Sequence, residues 1–132
     1  MSDDDKSVDW RKLREFTDVD LTQSYVLSWS AEAGTLFIDV DVHLLPKHPF
    51  YEKPRPREKV CIRPALLEFP YCQAVQSNGG AESSDLGTAV ESLGLGAIEG
   101  LRRLSDGRYE IRGEFGTVQL DAERPVLRLK SP

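Results

Sequence analysis

The stretch TLFIDVDVHLL, residues 35–45, is the most regular two-residue alternation in the chain. Leu36, Ile38, Val40, Val42 and Leu44 fall on one side, and Phe37, Asp39, Asp41, His43 and Leu45 on the other. Successive side chains of a strand point to opposite faces, so this rhythm predicts a strand with its aliphatic side in a core and its acids and imidazole turned outward. The fold class follows from asking what such a strand pairs with.

Upstream, Gly34 ends AEAG, residues 31–34, where a residue free to take positive φ suits a tight reversal. The reversal predicts a hairpin with SYVLSWS, residues 24–30, in which Tyr25, Leu27 and Trp29 share one face and Val26, Ser28 and Ser30 the other. Before it, Trp10, Leu13 and Arg14 sit at helical spacing and suggest a short helix within residues 8–16, on only two apolar contacts. Residues 1–15, opening with Asp3, Asp4 and Asp5, read as a flexible acidic segment of one domain covering residues 1–132.

Downstream, VCIRPALLEFPYCQAV, residues 60–75, reads as one or two strands broken by Pro64 and Pro70. Proline donates nothing to a ladder, so an edge position or a bulge is expected at each, and an exposed edge would offer a homodimer contact. Leu86, Val90 and Leu93 after Asp85 suggest a short capped helix. Asp106-Gly107 predicts a two-residue type I′ hairpin turn between 97–105 and 108–115. Val118 with Leu120, and Leu127 with Leu129, add two short strands around the turn DAERP. The count is seven or eight strands with at most one or two short helices: mainly antiparallel β, in a sandwich or small barrel.

Bulk properties bound the function. Net charge is −5, which disfavours nucleic acid because phosphate neutralisation drives that affinity. No apolar run approaches a membrane span, and MSDDDKSVDW lacks the apolar core of a secretory signal, so a cytoplasmic location and no membrane partner are expected. Cys61 and Cys72 fit neither a redox pair nor a zinc pattern and read as buried hydrophobes. No nucleotide cofactor is expected: GLGAIEG, residues 94–100, has Glu99 where the dinucleotide fingerprint requires glycine, and the chain has no phosphate loop or nucleophile elbow.

Two places could carry chemistry. Alternate residues of a strand start about 6.6 Å apart, so Asp39, Asp41 and His43 cannot all reach one ion. A metal or acid-base site would combine Asp41 and His43, or Asp39 and Asp41, with a residue from elsewhere, His48 being the only other histidine. The plain alternative is a solvated strand face answering Lys or Arg on a neighbouring strand. The second place is PKHPFYEKPRPREK, residues 46–59, with four prolines and five Lys or Arg against two Glu, which excludes a central strand or helix interior. His48, Phe50, Tyr51, Lys53, Arg55 and Arg57 combine aromatic area with cations, as interaction surfaces do. The expectation is a non-enzymatic binding protein engaging a protein partner or small anionic ligand through this loop. A small metal-dependent enzyme or metal-binding domain using Asp41, His43 and His48 is the alternative, and an intracellular carrier with an interior pocket the third reading.

Overall fold

The computed structural model describes residues 7–54, 56–57 and 59–130. Among them it contains nine strands: β1 Val8–Asp9, β2 Val19–Glu32, β3 Thr35–Leu44, β4 Cys61–Phe69, β5 Ala74–Ser77, β6 Gly96–Arg103, β7 Tyr109–Gly113, β8 Gly116–Asp121 and β9 Val126–Leu129. One short helix, α1 Leu86–Glu91, and two single 3-10 turns, Trp10–Lys12 and Arg14–Phe16, complete the described elements. All pairings are antiparallel, in the order β5-β8-β7-β6-β2-β3-β4-β9, with β1 added on β6. The chain is therefore mainly antiparallel β, as its alternation predicts.

The sheet curls so far that Phe69 of β4 and Tyr109 of β7, four places apart in the order, meet edge to face at 5.4 Å across the core. The five aliphatic residues of β3 assigned to the core are all within it, each at most 2% exposed. They meet Phe69, Tyr109, Ile111, Val118 and Leu120 from the other strands of the curl.

β2 departs from the simple reading. Its core residues are Val19, Leu21, Val26 and Trp29, with buried Ser24 between, and spacings of three interrupt the two-residue period. The β2–β3 register slips between Asp20 and Tyr25 and again between Val26 and Ser28. Each bulge inserts residues without partners and reverses which face the next side chain takes. Trp29 consequently turns inward, donating Nε1–H to the Gly94 carbonyl at 2.6 Å, while Tyr25 and Leu27 turn outward.

Pro64 does not mark an edge. β4 runs through it without a bulge between β3 and β9. The Pro64 carbonyl accepts from the Lys130 amide at 3.0 Å, and a residue's N–H and C=O point to the same side of a strand. The missing proline donor therefore faces the residue just past the end of β9, where only one ladder bond is forgone. Pro70 lies beyond β4, in the turn to β5.

The strand order ends at β5 and β9. Val75 of β5 exchanges backbone hydrogen bonds with Ser83, at 2.9 and 2.8 Å. The turn Arg14–Phe16 lies against β9. From Ser7 onward the N-terminal stretch is part of the fold: Val8 and Asp9 pair with Arg103 and Arg102, and Trp10 and Phe16 are buried. Extended backbone at Leu13 splits the expected helix into two turns. Residues 1–6 of the predicted flexible segment lie outside the described residues.

The Asp106-Gly107 hairpin is present with a different turn. Gly107 N–H bonds the Leu104 carbonyl at 2.9 Å and Leu104 N–H the Arg108 carbonyl at 2.7 Å, and of the pair only Gly107 has positive φ. That is a type I turn closed by a glycine bulge. Around α1, Asp85 caps the helix as expected, accepting from the Thr88 amide and hydroxyl. No helix among the described residues is long and apolar enough to cross a membrane.

Candidate functional site

The outer face of β3 resolves into ladder rungs. Opposite His43 stand Asp20 of β2 and Ile62 of β4; opposite Asp41, Tyr25 and Pro64; opposite Asp39, Ser28 and Leu66. Asp39, Asp41 and His43 are half-buried rather than fully wetted, because apolar neighbours alternate with the acids.

Asp39 is the most firmly held. It accepts from the Ser28 hydroxyl at 2.8 Å and forms an ion pair with Lys130. The Lys130 hydrogen bond, then that of Ser28, hold its carboxyl below the usual carboxylate range against the opposing effect of burial. This is the ordinary answering of an acid by a lysine across the sheet.

His43 has a different neighbour from those anticipated. Its Nδ1 is 4.0 Å from Asp20 Oδ2, too far for a hydrogen bond, and is buried without a partner. Asp20 spends Oδ1 on the Thr22 amide at 3.0 Å and hydroxyl at 2.6 Å. Ser24, wholly buried in the bulge, accepts from the His43 amide at 3.1 Å and donates to the Asp20 carbonyl at 2.8 Å. Counting back from the hairpin tip places Ser24 opposite His43; the bulge over residues 21–24 brings Asp20 there instead, which is why the sequence did not reveal it.

Asp41, His43 and His48 are not gathered. Among the described residues no three His, Cys, Asp or Glu side chains come together as metal ligands. His48 lies in the loop, where its Nδ1 accepts from the Phe50 amide at 3.0 Å and its ring stands 6.0 Å from that of Phe50.

The first part of the basic loop is built as a series of turns. Leu45 N–H bonds Asp18, His48 N–H bonds Leu45 and Tyr51 N–H bonds His48, at 2.9, 2.9 and 3.0 Å. Tyr51 packs against the core, and Arg63 of β4 holds Glu52 at 2.9 Å. Phe50, between these anchors, is 64% exposed, whereas the other four phenylalanines are buried or half-buried. Lys47, Lys53, Arg57 and Lys59 of the same loop are exposed, with no carboxylate partner among the described residues. Arg55 lies outside the described residues.

At the base of the loop an open groove of about 450 Å³ is lined by Trp10, Phe16, Asp18, Asp20, Thr22 and Leu45, and Trp10 Nε1 is buried without a partner. On the far side of the molecule buried Glu110 takes Arg102 at 3.0 Å and Gln119 at 3.2 Å. Its charge is thus satisfied within the sheet. No protein-family model, curated protein or solved structure matches the chain.

Proposed function

We propose that this chain is a non-enzymatic interaction protein whose loop of residues 46–59 engages an acidic partner. The observation that carries the reading is Phe50, held out into solvent by anchored neighbours on both sides, in a loop whose exposed Lys47, Lys53, Arg57 and Lys59 have no carboxylate partner among the described residues. An exposed aromatic among cations supplies contact area, and the surrounding charge supplies orientation and encounter rate. The turns limit the entropy lost on binding, because the first part of the loop is ordered before a partner arrives. The metal-dependent reading draws less support from the geometry, since His43 faces Asp20 and His48 Nδ1 is committed to the Phe50 amide.

The test compares wild type with Phe50→Ala and with the double variant Lys53→Glu/Arg57→Glu in capture from a lysate of the source cells. Both variants should lose the acidic partner while their melting temperatures stay within a few degrees of wild type, because the altered side chains are exposed. An unchanged set of captured proteins in both variants would remove the loop from consideration.

A further inference from the structure

The two bulges of β2 leave an apolar patch on the outside of the sheet. Tyr25 is 48% exposed and Leu27 47%, and Leu95, just before β6, is 55% exposed. The β2–β6 ladder pairs Tyr25 with Ala97 and Val26 with Gly96, so the next position outward sets Leu27 against Leu95. Val26 points into the core, which puts Tyr25, Leu27, Leu95 and Ala97 together on the outer side. The patch has an acidic border: Asp41 is the direct ladder partner of Tyr25 and has no cationic partner among the described residues. Asp20 stands on the next rung toward the loop.

The same molecule carries the complement. Its basic loop presents an exposed phenylalanine among unpaired cations, and its remaining surface is more acidic than the net charge of −5 indicates, because the loop contributes positively. The ends of the loop adjoin the border of the patch: the loop leaves β3 after Leu44 and rejoins at Cys61, beside the rung of Asp20, His43 and Ile62. The Tyr25 rung is the next one along β3, about 6.6 Å away. Phe50, Tyr25, Leu27 and Leu95 are all exposed, so the loop does not cover its own patch.

We propose that the partner is a second copy of this chain, the basic loop of each protomer seated on the Tyr25–Leu27–Leu95 patch of the other. This rests on the reading of the loop as an interaction surface and names its occupant. Reciprocal seating of each loop on the other protomer's patch closes around a two-fold axis, giving a finite dimer rather than a filament. Strand addition at β5 is not the route, since Ser83 already pairs with it.

Sedimentation of the full chain at about 100 µM, in about 50 mM and about 500 mM salt, tests this. A dimer is expected at low salt, weakened at high salt. Lys53→Glu/Arg57→Glu on the loop and Leu27→Lys on the patch should each weaken it by about tenfold or more, with Leu95→Lys as the second patch variant should Leu27→Lys misfold. Mixing the loop variant with the patch variant should restore part of the association, because one of the two junctions is then intact. A wild-type monomer at low salt, or a dimer indifferent to both patch variants, would overturn the proposal. In that event, loss of an acidic partner from the lysate in the loop variant still upholds the loop reading on its own.

Discussion

Tyr71 holds a left-handed backbone, φ 50°, directly after Pro70 in the turn between β4 and β5, and its side chain is 76% exposed. Asp18, Ala33 and Asn78 share that conformation; the short polar side chains of Asp18 and Asn78 tolerate it, whereas a bulky tyrosine is disfavoured there. Tyr71→Gly is therefore expected to raise stability by about 0.5–1 kcal/mol, read as a shift in urea midpoint at constant slope. A lower midpoint would mean that the ring makes a stabilising contact. Asp39 offers a second single-residue test. Its carboxyl pKa is depressed in the folded chain by Lys130 and then Ser28, so the associated stability is present above the unfolded value near 4 and is lost as pH falls through the folded value. Lys130→Ala should return the Asp39 titration, followed by NMR, toward the ordinary carboxylate range and flatten that acid branch of the stability curve.

At the scale of elements, legibility followed the regularity of the local pattern. β3 was readable residue by residue because it carries no bulge of its own and pairs with β4 without interruption from Leu36 to Leu44. β2 was readable as a strand and misread as to its faces, since the bulges respond to the partner strands and leave no mark in its composition. Pro64 suggested an edge because proline statistics do not say on which side the missing donor falls. The reversal at Glu114 and Phe115 was hidden inside an apparent single strand, and its signal lay in the paired glycines around it. A Cβ on Gly113 would come 2.3 Å from the Ala97 carbonyl oxygen, a backbone atom that cannot swing aside. Gly113→Ala should accordingly cost about 3 kcal/mol by denaturant unfolding. A loss below about 0.5 kcal/mol would show that β6 and β7 can separate there without penalty.

At the scale of the molecule, the curled sheet divides the chain's chemistry into a sealed interior and an exposed, charge-patterned face. The loop was identifiable in the sequence because proline and charge are local signals, while the patch formed by Tyr25, Leu27 and Leu95 was not, since it depends on a register slip and on a ladder between residues some 70 positions apart. The interior has its own reporters. Cys61 and Cys72 are both free thiols and both buried, 1% and 5% exposed, and burial pushes the Cys72 thiol up to about 11. Only the thiolate attacks, so at pH 8 roughly one Cys72 in a thousand is reactive even before access is considered. Reaction with a thiol reagent should then proceed at the rate of opening, much slower than in the unfolded chain, and accelerate in step with unfolding as urea rises. The same shift links to stability: the unfolded thiol ionises near 9 and the folded one near 11, so stability is fully present below pH 9 and declines as pH rises through that interval. Tyr109, whose pKa burial also raises, adds to the decline at its upper end. Cys72→Ala should therefore reduce the alkaline slope between pH 9 and 11 without abolishing it, and an unaltered slope would place the alkaline sensitivity elsewhere.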